Sequence, residues 1–576
     1  MIENLTMKKM KKRTIIATIL GASMLMISSC GKDFLEKNAQ GELTEGEVSI
    51  KDGIEQVLLG AYGIMNGNSS GTWGNYASAP SQWVFGEMPS DNAHKGSEGP
   101  DQPNMIAIEN YSVNPVNDNL STMWQVYYEG VLRANNVLKL LKTDQQGEKT
   151  VDAGRAKEIE GEARMLRAHY YFYLWRVFKN IPYVDENTTT EEAKTKPNNT
   201  DVLPKIIEDL IFSKDNLPLA KINGEKGRMD QNIAKAYLGK VYLYQKKYAE
   251  ALELFKAVIG GKDITTMPFQ NNFDVLTEDG PEVVLASKHA INPDGSGDNA
   301  NVGDMLSGLN GQNPNGCCGF HQPTIDLVNA YKVDAAGLPM LDNSYRTNPY
   351  KSDLDQENGY VLDVNLRFDP RLDYTVGRRG VHYLDYGVMP GAAWVREQSS
   401  AGPFVGAKTM IPQSQFAKYA TADTYLTALD VNIIRLADVI LMAAECHVEL
   451  NQLPQALTLV NSVRVRAAKL PPKLTATGVP AAKYVVNPYP SFNDQDHARK
   501  AVRFERRLEL AMEGHRFFDL VRWGVAKQVI ESYSAFEGQF LTPYKGLIFN
   551  PVNERFPIPQ DEIDKSSGTL IQNEGY

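Results

Sequence analysis

Several groups of residues in this chain are of types that could carry chemistry. Ile27-Ser28-Ser29-Cys30 sets a cysteine behind one aliphatic and two small residues, the pattern of a lipobox. Small side chains let a peptidase close around the backbone, and the exposed thiol then accepts lipid. Lys8, Lys9, Lys11, Lys12 and Arg13 precede a short apolar run, Ile15 to Ile27, which is too short to anchor in a bilayer and is read as a cleaved leader. Residues 1–29 are therefore expected to be removed, leaving a lipidated Cys30 at the head of the mature chain. The plainer alternative is an ordinary leader followed by a chance cysteine. Of the other cysteines, Cys317 and Cys318 stand side by side in a glycine-flanked turn, where a vicinal disulfide and two free thiols are both open readings; with Cys446 they form no zinc-type spacing.

Glu509 and Glu513 stand four residues apart in a helical run, and paired carboxylates are the machinery of glycosidic bond cleavage. Their neighbours argue against that use. Arg506, Arg507 and Arg516 alternate with Glu505, Glu509, Glu513 and Asp519, a spacing that predicts an ion-pair lattice along the helix. Arginines hold carboxylates ionised, whereas a general acid needs a raised pKa. His169, His447 and His515 fall inside helical runs and are expected to pack or cap. HExxH, GxSxG and P-loop motifs are missing, so the chain is read as a non-enzyme with no cofactor and no metal site.

The aromatic supply, 27 Tyr, 20 Phe and 6 Trp, points instead to binding. Sugar rings present C–H faces that stack on Trp and Tyr, while Asp, Asn and Arg bond their hydroxyl edges. Two stretches, Asn66–Asn119 and His289–Thr424, are rich in Gly, Pro, Asn and aromatics and lack helical period. Ordered segments of this length are where binding residues concentrate. The first offers Trp73, Tyr76, Asp91 and Asn92, with His94 nearby; the second offers Tyr383 and Trp394, with Tyr386 and Arg396. Glycine-rich flanks around Trp73 and Trp394 predict exposed rings, whereas Val84 and Phe85 beside Trp83 predict a core position. Extended peptide is the alternative cargo for such a face.

The elements that must hold these stretches are helical. Asn232–Ile259 has the small and large residues of a tetratricopeptide-type hairpin at Leu238, Gly239, Tyr242, Tyr248, Ala251 and Phe255, and Asn432–Ala467 repeats the scheme around a turn at Asn451-Gln452. Amphipathic runs over Leu120–Leu141, Ala156–Phe178, Asp201–Asp215 and His497–Met512 supply further helices. The expected fold is mainly α: one superhelix of hairpins, interrupted by a long irregular face that binds ligand. The formal charge of −10 argues against nucleic acid as a partner, and 42% hydrophobic with 23% charged residues is ordinary globular composition.

Four motifs in order along the chain resemble the SusD/RagB family of outer-membrane lipoproteins. They are Cys30, Asp33, Phe34 and Leu35; Glu162-Ala163-Arg164-Met165-Leu166-Arg167-Ala168-His169-Tyr170-Tyr171-Phe172 with Phe178, Pro182 and Tyr183; Phe504 to Gly524; and Phe556-Pro557-Ile558-Pro559 with Gln572-Asn573 and Gly575-Tyr576. The resemblance implies a single domain over 30–576 built on four tetratricopeptide-like hairpins. It also implies a surface-exposed lipoprotein of the outer membrane that captures a nutrient, usually a glycan, for a SusC-like TonB-dependent transporter. Lys32 and Asp33 resemble the charged export signal of this group.

Overall fold

The computed structural model describes residues 51–68, 76–310, 317–355, 359–422 and 426–576; Cys30, the leader and Trp73 lie outside them. Its longer helices are α1 (Lys51–Gly63), α2 (Asp118–Gln146), α3 (Ala153–Phe178), α4 (Leu203–Asn216), α5 (Gln231–Tyr244), α6 (Tyr248–Ile259), α7 (Leu436–Glu449), α8 (Leu453–Ala467), α9 (Gln495–Leu510), α10 (Arg516–Arg522) and α11 (Ala526–Glu537). Their starts are written locally. Asp152, Asp230 and Asp494 cap α3, α5 and α9 by accepting backbone N–H bonds, and Pro454 sits in the first turn of α8, where its missing N–H is harmless.

Each helix from α1 to α6 packs on the next, α6 packs on α7, and α7 packs on α8 and α9. The array is thus one superhelix that resumes across the long excursion between Ile259 and Leu436. Close crossings explain the small residues: a Cβ at Gly239 would lie 2.6 Å from the Phe255 ring, so only glycine lets α5 and α6 approach this far. One boundary differs from expectation. Asn432–Arg435 is not helix but part of strand β4 (Val431–Arg435), which pairs antiparallel with β2 (Val283–Ser287). The β-branched run Val431, Ile433 and Ile434 favours the strand, and it closes the root of the excursion.

The two irregular stretches meet. Strand β1 (Ala93–Gly96) pairs antiparallel with β3 (Phe320–Pro323), matching Ala93 with Pro323 and Gly96 with Phe320. Arg396 reaches across to Glu98 at 2.7 Å and Asp101 at 3.1 Å. Trp83 is fully buried, as expected, and donates its indole N–H to the Gly303 carbonyl at 3.1 Å. Cys317 and Cys318 carry bonded sulfurs, forming a vicinal disulfide just before β3.

The charged lattice of α9 is not the intrahelical one expected. Glu505 pairs with Arg371 (2.7 Å) and Arg464 (2.9 Å), and Glu509 with Arg371 (2.9 Å), Arg435 (2.6 Å) and Arg466. Arg506 pairs with Asp438 (2.8 Å) and Asp519 (3.0 Å). These groups are buried, so the network bolts the excursion, strand β4 and helix α8 onto α9. Removing one partner of such a buried pair costs far more than breaking an exposed pair along one helix, because the other charge is left buried and unpaired.

Candidate functional site

The structure distributes the expected ligand-binding residues unevenly. Asp91 and Asn92 are each 1% exposed. Asp91 takes a bidentate pair from Arg516 (2.7 and 2.9 Å) and a further contact from Arg507 at 3.1 Å. Burial alone would raise its pKa, but Arg507 and Arg516 outweigh that and hold the carboxyl well below its usual range. Asn92 accepts from Arg507 at 2.9 Å and donates to Glu87 at 2.8 Å. Both side chains are spent inside the fold rather than offered to solvent. Tyr76 is half-buried against the main core, and burial, helped by Asp101, raises its phenol.

The expectation of an exposed Trp394 is corrected: the ring is 9% exposed and packs with Leu309, Met389, Val395 and Met410. Its glycine-rich approach serves tight turning rather than exposure. Gly391 has φ +88°, and a Cβ there would meet an Asp353 carboxylate oxygen at 2.3 Å. The chain therefore turns back sharply and drops the indole into a small separate core. Tyr383 stands edge-on to Trp394 with centroids 5.7 Å apart, is 3% exposed, and donates its hydroxyl to the Gly406 carbonyl.

Tyr383 also walls a pocket of about 160 Å³ in the irregular face. Phe273, Tyr374 and Leu384 give it further apolar surface, and Gln270, Asp274 and Lys473 give it polar groups. Tyr374 is held by its hydroxyl bond to the Pro471 carbonyl (3.0 Å) and by Lys473, whose ammonium lies 4.7 Å from the ring centroid. Burial, with the nearby Asp373 carboxylate, pushes the Tyr374 phenol up to about 12, so it is a neutral hydroxyl at physiological pH. The Gln270 side-chain oxygen is buried and has no hydrogen-bond partner among the described residues. A buried acceptor of this kind is costly unless something donates to it. Aromatic surface beside a waiting acceptor suits a ligand with an apolar ring face and a hydroxyl edge.

Phe273, Tyr374 and Gln270 were not among the sequence candidates. Phe269-Gln270-Asn271-Asn272-Phe273 is polar, aromatic and aperiodic, and it forms a 3-10 turn just ahead of the second irregular stretch. That local composition was the available signal. Nothing local places it beside Tyr374.

The carboxylates considered for catalysis are in the buried network. Glu513 pairs with Arg435 (2.8 Å) and Lys408 (2.6 Å). Burial would raise both Glu509 and Glu513, but Arg466, Arg435 and Arg371 on the first, and Arg435 and Lys408 on the second, hold them below the ordinary carboxylate value. His169 is buried against the Tyr237 hydroxyl (3.1 Å), and His447 meets the Gln452 side chain (2.6 Å).

Comparison with known proteins fits this architecture. The chain is 22% identical to SusD-like protein P25 of Formosa agariphila over 96% of its own length and 98% of that protein's. Among solved structures, a laminarin-binding SusD-like protein superposes with a TM-score of 0.65 at 25% identity, covering 92% of this chain and 100% of that one. Surface glycan-binding protein A of Bacteroides thetaiotaomicron, in complex with laminarihexaose, shares the fold with a TM-score of 0.62 at 19% identity over 91% of this chain and 99% of that one. A family model described as starch-binding and associating with the outer membrane matches residues 33–243. Residues 281–576 match the model of the SusD family, and the chain belongs to that family.

Proposed function

We propose that the protein captures a glycan on the irregular face and that the pocket of Phe273, Tyr374 and Tyr383 is a principal contact. The observation that carries this is one pocket lined by Phe273, Tyr374 and Tyr383 together with Gln270, Asp274 and Lys473. A bound sugar would stack on ring surface and bond its hydroxyls to the polar side chains. The laminarin-binding relative supports a carbohydrate ligand, and the family description supports an outer-membrane setting. In this reading residues 1–29 are a leader, Cys30 carries the lipid anchor, and residues 30–576 act as one unit, exposed on the cell surface. Trp73 joins the ligand contact on the strength of its sequence context, and Trp394 packs edge-on against Tyr383. The protein does no chemistry on its ligand, because its carboxylate pair is held ionised by arginines. The glycan is handed to a TonB-dependent transporter of the SusC kind.

The test is calorimetry on the lipid-free protein with laminarihexaose, starch oligosaccharides and a tryptic peptide pool. Binding of a glycan that Tyr374→Ala weakens about tenfold supports the reading, a loss of the size expected for one stacked ring. Binding of peptides with no glycan binding replaces it with peptide capture.

A further inference from the structure

A second, larger cleft of about 380 Å³ lies on the helical side and shares no lining residue with the Tyr374 pocket. It opens between α9, α10 and α11, with the turn at Ser344–Arg346 along one edge. Its charge is lopsided. Arg346, Arg499, Lys500, Arg503, Arg507 and Arg516 line it, against Asp91 and Asp496. Most of these cations are already matched: Arg346 by Asp326, Arg499 by Glu449, Lys500 by Asp496, and Arg507 and Arg516 by Asp91.

Arg503 is different. Among the described residues no carboxylate comes within ion-pair distance of it, and its Nε is buried without a hydrogen-bond partner. Its guanidinium lies 4.8 Å from the centroid of the Trp523 ring, which Arg522 also approaches at 4.9 Å. Burial, with the like charges of Arg522 and Arg499, pushes the Arg503 pKa down from the ordinary arginine value, against the opposing pull of Glu445 and Glu449. A guanidinium that lines a cleft and has no carboxylate within ion-pair distance is suited to a carboxylate or sulfate, which the planar group can grip with two parallel bonds. The volume lies in the range of small-ligand sites, and Phe504 and Trp523 supply apolar wall.

We infer that this cleft binds a saccharide of one or two rings bearing a carboxylate or sulfate, with Arg503 gripping the oxyanion beside Trp523. The choice of a saccharide rests on the glycan-capture reading, while the place and the charge of the site do not. The ligand is small because the cleft holds only about 380 Å³, and it is charged because Arg503 has no carboxylate within ion-pair distance among the described residues.

The experiment titrates the lipid-free protein with digalacturonate, with sulfated galactobiose, with neutral galactobiose and with sodium sulfate. At least one acidic disaccharide is expected to bind at least tenfold more tightly than galactobiose, and to weaken as salt is raised. Arg503→Gln should remove about tenfold of that affinity and Arg503→Lys should restore part of it, with the thermal midpoint of each variant confirming that the fold is retained. Tyr374→Ala should leave this binding intact. Equal affinity for acidic and neutral disaccharides, binding of sulfate alone as an adventitious ion, or no binding of either acidic sugar overturns the inference. Loss of laminarihexaose binding in Tyr374→Ala bears only on the other pocket.

Discussion

Trp394 packs edge-on against Tyr383 and Tyr374 lines a pocket with it, and their removal should read out differently. Trp394 fills a closed apolar space, so Trp394→Ala is expected to cost about 3–5 kcal/mol of stability and to lower the thermal midpoint. Tyr374 is only partly buried, so Tyr374→Ala should act mainly on glycan affinity and leave the midpoint close to wild type. Trp73→Ala should likewise weaken glycan binding by about 1–2 kcal/mol, measured by the same calorimetry. A different residue governs pH dependence. His94 is buried between Glu109 (3.1 Å) and Glu537 (3.0 Å). Burial alone would lower its pKa, but the two carboxylates outweigh it and raise the ring to about 9. A raised folded pKa stabilises fully below the unfolded value, about 6.5, and that contribution is lost as pH rises from there through about 9. Thermal melts from pH 6 to 9.5 should therefore show wild type losing up to about 1.4 kcal/mol per pH unit relative to His94→Gln, in which other titrations cancel.

At the scale of elements, α9 holds the helical array and the excursion together. Glu509→Ala leaves Arg371, Arg435 and Arg466 without their shared carboxylate, and a loss of about 3–5 kcal/mol is expected by chemical denaturation. Gly239→Val should cost about 1–3 kcal/mol, because the crossing of α5 and α6 has no room for a branched side chain. The helices themselves were legible: apolar period, small residues at crossings and Pro454 are all local signals. The ion pairs were legible only in type, because helical spacing shows which charges alternate and says nothing of Arg371, Arg435 or Arg464 arriving from elsewhere. Trp394 shows the same limit. Glycines beside it forecast an irregular backbone, but whether the ring then faces water depends on Leu309 and Met410, which come from other turns. The Tyr374 pocket was legible only through Tyr383, since Phe273 and Gln270 reach it through tertiary folding.

For the whole molecule, the anchor is the part that sequence alone carries. Cys30→Ala should release the protein from the membrane fraction, and labelled palmitate should enter wild type but not the variant, because acyl chains supply the membrane affinity. The continuity of the superhelix was foreseeable from two similar hairpins far apart in the chain; the meeting of the irregular stretches through β1 and β3 was not, since strands of four residues carry little pattern. The burial of Asp91 has a bearing on how the protein is made. Its arginine partners, Arg507 and Arg516, follow it by 416 and 425 residues. At roughly 5–20 residues per second of synthesis, that carboxylate waits on the order of tens of seconds for its first counter-charge. The front of the chain thus stays unfinished until the last eighth emerges, and a nascent chain halted short of Arg507 should be a substrate for holding chaperones and proteases, however complete its leading helices.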